Sequence, residues 1–189
     1  MGSPAVFLDR DGVINVDVGY LYLPEEFRFI EGSAEALRIM KQKGWKLVVV
    51  TNQSGIARGF YTEQQYLVLD RYMRDQLSGM GAALDGSYYC PHHPEFGPDK
   101  YRKVCSCRKP KPGMLLKAAE DLDIDLGRSY MVGDRYSDLL AGRNAGVAKT
   151  VLVRTGEPVT GEAAAASDYV LNNLLELADF LPEVKQNRN

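Results

Sequence analysis

The chain has 189 residues, of which 45% are hydrophobic and 25% charged, and its formal net charge is −2. That length suits a single domain whose core needs no disulfides. The charge balance gives no basis for a nucleic-acid coat or a membrane surface, and no apolar run approaches the roughly 20 residues that cross a bilayer.

The first apolar run, Ala5-Val6-Phe7-Leu8, lacks polar alternation and reads as a strand buried on both faces. A helix follows from Ser33 to Lys43 with Ala36, Leu37 and Met40 on one side, stopped by Gly44. Leu47–Val50 is the second strand. Thr62, with Gln65 three residues on, makes a capping box for a helix reaching about Ser78, with Tyr66, Leu69, Met73 and Leu77 inward. Tyr88-Tyr89-Cys90 is a shorter strand candidate. Pro112 suits the first turn of a helix carrying Leu115, Leu116, Ala119 and Leu122. Tyr130–Val132 and Thr150–Val153 are again buried strands, separated by a short helix that ends before Gly146. Tyr169–Leu171 and a last helix with Leu174, Leu177 and Leu181, closed by Pro182, complete the series.

Strands alternating with helices predict an α/β fold, a Rossmann-like parallel sheet covered on both faces. Right-handed crossovers then bring every strand C-terminus to one edge, where such sheets bind ligands. Two long irregular stretches remain, Asn15–Glu31 and Pro91–Pro112, and a polar tail begins at Lys185. Residues 1–189 are thus expected to form one domain, with nothing between the elements large enough to fold separately.

Polar residues converge on that edge: Asp9 and Asp11 after the first strand, Thr51 and Asn52 after the second, Lys109 after the Cys-rich loop, and Asp134 after Gly133. Any one of them could be a turn or cap residue. Together they describe phosphoryl chemistry. Asp9 and Asp11 can face one pocket if the chain turns at Gly12, where glycine tolerates positive φ. A third carboxylate from Asp134 would need a hard cation to hold the three together, and oxygen ligation suits Mg²⁺. The Thr51 hydroxyl, the N–H groups after it and the Lys109 ammonium would stabilise a transferring phosphoryl group.

A second constellation lies in the irregular stretch. All three cysteines fall in it or directly before it, as Cys90-Pro91-His92-His93 and, further on, Cys105-Ser106-Cys107. Three thiolates and one imidazole make a closed tetrahedral Zn²⁺ site with no open position, hence a structural one. Either His92 or His93 could supply the nitrogen. The zinc would pin a loop that carries Arg108 and Lys109 straight after its last ligand. Clustered cysteines and the absence of a signal-like N-terminus lead us to expect a cytoplasmic protein.

Asp9-Arg10-Asp11-Gly12-Val13, Thr51, Lys109 and Gly133-Asp134 with Asp138 resemble, in order, the four motifs of the haloacid dehalogenase-like phosphatases. The resemblance implies that Asp9 is a nucleophile that becomes an aspartyl phosphate, and that Asp11 is the acid and then the base. It also implies Mg²⁺ held by the Asp9 carboxylate, the Asp11 carbonyl and Asp134. Asp11, near other carboxylates, is expected to keep its proton while metal contact keeps Asp9 ionised. The segments Thr51–Gly59, Cys90–Pro94 and Cys105–Pro110, together with Asp17–Tyr20 and Val153–Gly156, resemble the heptose bisphosphate phosphatases, capless members with a zinc loop. That family favours His92 over His93 as the ligand, giving Cys90, His92, Cys105 and Cys107. It places Asp17, Val18, Gly19, Tyr20, Thr51, Asn52, Gln53, Ser54, Arg108, Lys109 and Arg135 against a small sugar bisphosphate. Arg135 also resembles the spelling in histidinol-phosphate phosphatases, the alternative. Polynucleotide 3′-phosphatases share the aspartate motifs but are disfavoured by an acidic chain without a basic aromatic stripe. A non-catalytic binding module would require a decayed site, and every motif residue is present. No long exposed apolar face is evident, so a monomer is expected.

Overall fold

The computed structural model describes residues 2–185; the end of the expected polar tail, 186–189, lies outside the described residues. Six strands form one sheet: β1 (Ala5–Leu8), β2 (Lys46–Asn52), β3 (Gly86–Cys90), β4 (Tyr130–Gly133), β5 (Lys149–Val153) and β6 (Tyr169–Leu171). Their order is β3-β2-β1-β4-β5-β6, and each neighbouring pair is parallel. Among the described residues, six α-helices lie between the strands and a seventh follows the last: α1 (Ser33–Gln42), α2 (Gly55–Arg58), α3 (Glu63–Gly79), α4 (Gly113–Leu122), α5 (Tyr136–Ala145), α6 (Gly161–Ala165) and α7 (Leu174–Phe180). The short helices α2 and α6 were not anticipated, because four or five residues carry too little periodicity.

The inner strands are apolar where both faces are covered, as in β1 and the middle of β2, whereas the edge strands β3 and β6 are only partly buried. Val6 and Leu8 point into a core shared with α1, α3 and α7, whereas Ala5 and Phe7 point into a second core under α4 and α5. At roughly 25 cal/mol per Å² of buried apolar surface, these two layers supply most of the driving force for folding. The α3 capping box forms as expected, and Tyr66, Leu69, Met73 and Leu77 are its buried residues. Helix α4 turns Leu115, Ala119 and Leu122 to the second core as expected and departs from expectation only at Leu116. Pro112 is its N-cap, the buried residues are Met114, Leu115 and Ala118, and Leu116 is exposed. The start of α4 is fixed from outside: the Gly113 N–H donates to the Ser106 carbonyl at 3.0 Å, and a Cβ on Gly113 would collide with that carbonyl. That contact ties the start of α4 to the Cys-containing loop.

The first irregular stretch is anchored rather than loose. Leu21 and Phe27 are buried in the first core, and Asn15 bridges to Phe29. The switch between β1→β2 and β1→β4 neighbours falls at the C-terminus of β1. Such a reversal opens a crevice, and Asp9 stands at its mouth. No helix among the described residues is long and apolar enough to cross a membrane.

Candidate active site

A cleft of about 720 Å³ opens over the C-terminal sheet edge. Asp9, Asp11, Asp17, Gly19, Tyr20, Thr51, Asn52, Gln53, Ser54, Arg108, Lys109 and Arg135 all line it, as the sequence predicted. Val18 does not; its side chain is exposed, because Gly19 and Tyr20 both adopt positive φ and turn the chain there. Asp134 lies beneath the cleft floor, almost fully buried.

Lys109 is the centre of the floor. Its ammonium reaches Asp9 Oδ1 at 2.9 Å and Asp138 Oδ1 at 2.7 Å, and donates to the Val50 carbonyl at 2.8 Å. Three donors therefore meet three acceptors, which is how a buried ammonium is accommodated. Its backbone is fixed as well: Asn52 Oδ1 accepts from the Lys109 N–H at 3.1 Å, and Asn52 Nδ2 donates to the Lys109 carbonyl at 3.2 Å. Asn52 thus clamps the end of the zinc loop onto β2. Burial acts to lower the Lys109 pKa, but Asp138 and Asp9 outweigh it and the pKa is raised.

The buried carboxylates that gather are Asp9, Asp134 and Asp138, with ligand oxygens within 4.8 Å of one another. The sequence put Asp11 third; Asp138 takes that place. Burial pushes Asp9 up to about 7, against Lys109, with Asp138 and Asp134 adding to the rise. Burial, then Asp138, pushes Asp134 up to about 6. A divalent cation would reverse both shifts. Asp134 Oδ2 accepts the Glu157 N–H at 2.9 Å, whereas its Oδ1 is buried without a partner. An orphaned carboxylate oxygen beside Asp9 fits a hard cation. Asp138 has both oxygens engaged, by Lys109 and by the Arg135 N–H, so it braces the lysine instead.

Glycine makes this packing possible. Gly12 has φ +79, as its turn requires, and a Cβ on Gly12 or Gly156 would run into the Asp134 carboxylate. Thr155 Oγ1 donates to the Gly12 carbonyl at 2.7 Å, tying the loop after β5 to the turn after β1. The sequence analysis attached no role to Thr155, Gly156, Glu157 or Asp138; each acts through contacts between distant strands.

Asp11 is held elsewhere than expected. Its carboxylate accepts from Arg10 Nε and Nη2, from Asn15 Nδ2 at 3.0 Å and from Gln53 Nε2 at 3.3 Å. Its side chain is therefore surrounded by donors and is not one of the three carboxylates that gather. Gln53 is itself buried: its amide donates to Thr51 Oγ1 at 2.8 Å, and its carbonyl accepts from the Tyr61 hydroxyl at 2.5 Å.

Along the cleft wall, Arg135 Nη2 pairs with Asp17 and Glu157, both at 2.9 Å. Arg108 has no ion pair among the described residues; it donates only to the His92 carbonyl, at 3.3 Å. Its charge remains available to a ligand.

Cys90, His92, Cys105 and Cys107 come together as a second group, with the sulfurs 3.1–3.5 Å apart and His92 Nδ1 3.4 Å from Cys107 Sγ. Tetrahedral zinc thiolates have edges of about 3.8 Å, so the four atoms already surround one centre. Hydrogen bonding from Cys90 foremost holds the Cys107 thiol down to about 5. His93 faces away from this group. Its Nδ1 accepts from the Glu95 and Phe96 N–H groups at 3.1 and 3.3 Å, and Arg58 Nη2 lies 3.1 Å from its Nε2. The Arg58 guanidinium also stacks 4.2 Å above the Phe96 ring, and Gly97 packs against the Ala57 carbonyl. These contacts latch the zinc loop to α2, a role for Arg58 and His93 that residue types alone did not disclose.

Curated relatives match this chain over most of its length. A protein of Escherichia coli K12 is 54% identical over 174 residues, covering 92% of this chain and 91% of the relative. One of Yersinia pestis is 52% identical, covering 92% and 93%. Both are named D-glycero-beta-D-manno-heptose-1,7-bisphosphate 7-phosphatase. The chain belongs to that family. The HAD-hydrolase-like family model matches residues 106–177. A crystal structure of D,D-heptose 1,7-bisphosphate phosphatase from B. bronchiseptica, complexed with magnesium and phosphate, is 32% identical with a TM-score of 0.79, covering 93% of this chain and 96% of that one. The haloacid dehalogenase-like fold, the phosphatase class and the family expected from the motifs therefore stand.

Proposed function

We propose that this chain is a Mg²⁺-dependent phosphatase that removes the 7-phosphate of D-glycero-D-manno-heptose 1,7-bisphosphate, in the making of nucleotide-activated heptose. The observation that carries the reading is the pairing of Asp9 with buried Lys109 under a cleft of sugar-bisphosphate size, whose wall bears the free charge of Arg108. Pockets of this volume suit small ligands of several polar groups. The β-anomer in the relatives' names is the form we expect.

Each residue then has a task. Asp9 attacks phosphorus, and the Asp9 oxygen–phosphorus bond forms as the ester bond breaks. Lys109 and the Thr51 hydroxyl stabilise charge on the transferring oxygens. Asp11 gives its proton to the departing sugar oxygen. In the second half it takes a proton from the water that attacks the aspartyl phosphate, freeing inorganic phosphate and the Asp9 carboxylate. Asp9, Asp134 and the Asp11 carbonyl would hold Mg²⁺, which when bound neutralises part of the phosphate charge. Arg108 receives the phosphate that is retained, and Asp17, Gly19, Tyr20, Asn52, Ser54 and Arg135 line the sugar. Cys90, His92, Cys105 and Cys107 would hold a structural Zn²⁺. The phosphatase is read as one domain over 1–189, monomeric and cytoplasmic, acting on a small molecule rather than on nucleic acid or membrane.

The test is a substrate panel: phosphate release from heptose 1,7-bisphosphate, histidinol phosphate and a 3′-phosphorylated oligonucleotide, with and without EDTA. The heptose ester should be preferred, and EDTA should stop the reaction. A preference for histidinol phosphate would overturn the substrate and leave the chemistry standing.

A further inference from the structure

Arg10 is a buried charge that the reaction, as described, does not use. It lies between Asp9 and Asp11 in sequence and is 1% exposed. A guanidinium taken out of water costs several kcal/mol unless its partners are well placed. Here they are sparse and directed. Nε and Nη2 fork onto the Asp11 carboxylate, with Nη2 at 2.8 Å from Oδ2 and 2.9 Å from Oδ1. Nη2 also reaches the Leu21 carbonyl at 3.4 Å, the Tyr66 ring lies 5.7 Å away, and Nη1 has no partner. Among the described residues, the one carboxylate that Arg10 contacts is Asp11.

The fork removes rotational freedom from Asp11. A bidentate guanidinium fixes the plane of a carboxylate as well as its place. Asn15 Nδ2 holds Oδ1 from the other side at 3.0 Å. Oδ2 is less tightly held: beyond Arg10 it has only Gln53 Nε2, at 3.3 Å. A carboxyl oxygen has two lone-pair sites, so the Oδ2 site now given to Gln53 is the one that, when it carries the proton, can face a ligand oxygen. The Asp11 side chain is 22% exposed at the cleft, whereas that of Arg10 is 1% exposed behind it.

We propose that Arg10 is the positioning residue of the acid–base aspartate: its fork aims Asp11 Oδ2 at the ester oxygen. This rests on the phosphatase reading above and adds to it how the proton donor is oriented. The proton passes from Asp11 Oδ2 to the ester oxygen as the phosphorus–oxygen bond breaks, and the sugar leaves as a neutral alcohol while phosphorus bonds to Asp9. A sugar alkoxide needs that proton; p-nitrophenolate, the conjugate base of a much stronger acid, leaves without it. A residue that acts by orienting the acid must therefore matter for one leaving group and not for the other.

The experiment measures single-turnover phosphoenzyme formation on heptose 1,7-bisphosphate and on p-nitrophenyl phosphate, for Arg10→Met, Arg10→Lys and Asp11→Asn. For Arg10→Met the rate on the sugar ester should fall about a hundredfold, the usual scale of general acid catalysis, while p-nitrophenolate release stays within about threefold. KM for the sugar ester should hardly move. Arg10→Lys keeps the charge without the fork and should recover only part of the loss; it carries the test alone if Arg10→Met does not fold. Equal losses on both substrates, or full activity of Arg10→Lys on the sugar ester, would overturn the proposal. If Asp11→Asn itself shows no dependence on the leaving group, the acid assignment fails, and the proposal with it. Leaving-group dependence in Asp11→Asn but not in the Arg10 variants refutes the positioning role alone.

Discussion

Replacing Lys109 by Met tests how the floor of the cleft is held together. The substitution removes an ammonium that satisfies Asp9 at 2.9 Å, Asp138 at 2.7 Å and the Val50 carbonyl at 2.8 Å, while keeping most of the buried volume. Breaking a buried ion pair from one side costs about 3–5 kcal/mol, because the surviving charge has lost its partner. Two carboxylates survive here, but Asp9 can take up a proton, so the lower end, about 3 kcal/mol, is the working value. In a chain of this size each kcal/mol is worth roughly 2–4 °C in Tm, so the loss is about 6–12 °C near pH 8. The deficit should shrink towards pH 5, below the value of about 7 to which burial raises Asp9, because a neutral Asp9 no longer needs the ammonium. Turnover should fall by at least about a hundredfold, as when one transition-state donor is removed. Thermal melts of wild type and Lys109→Met at both pH values, without added metal, give the numbers. A deficit equal at pH 5 and pH 8, or none at all, would refute the account of the lysine as counter-charge to buried carboxylates.

Two other outcomes follow from the same geometry. Magnesium binding should weaken as pH falls, because Asp9 (raised to about 7) and Asp134 (raised to about 6) must lose protons to admit a cation. Calorimetric affinity should drop about tenfold per pH unit just below 7 and more steeply below 6. The sign for stability is the reverse of the usual carboxylate case. Both folded pKa values lie above the ordinary 3.8, so the metal-free protein loses stability as pH rises from about 4 towards 7, and added magnesium stabilises most at the upper end. A pH-independent magnesium affinity would remove the case for these two ligands. In the zinc loop, Cys107→Ser should yield protein without bound zinc, by elemental analysis, and with residues 91–112 open to proteolysis. A structural zinc contributes on the order of 10 kcal/mol to folding its loop, so activity should fall through Arg108 and Lys109. Full activity in zinc-free protein would separate the loop from catalysis.

Much of this was legible in the sequence because it is local. Four apolar runs became β1, β2, β4 and β5, since a strand buried on both faces cannot hide its composition, and the weaker candidates became the edge strands β3 and β6. The α3 cap and inner face were readable because Thr62, Gln65, Tyr66 and Leu69 interact within one or two turns. The zinc ligands were readable from residue type, with both histidines side by side; the Arg58–Phe96–His93 packing then separates their roles. What escaped depends on neighbours distant in the chain. Asp138 braces Lys109 from a different helix, and Glu157 holds Asp134 from the loop after β5. Asp11 was placed among carboxylates because Asp9 is two residues away, yet the Arg10 guanidinium and Gln53 turn it aside. Within α4 only Leu116 was misplaced: it is exposed, while Met114 and Ala118 are buried beside Leu115.

The central claim is that Asp9 carries the phosphoryl group. Borohydride trapping of wild-type protein during a single turnover of heptose 1,7-bisphosphate, followed by peptide mass spectrometry, addresses it without any variant. Reduction of an aspartyl phosphate converts the aspartate to homoserine, and the account predicts homoserine at position 9 and nowhere else. Homoserine at another aspartate, or unmodified Asp9 while phosphate is being released, would contradict it.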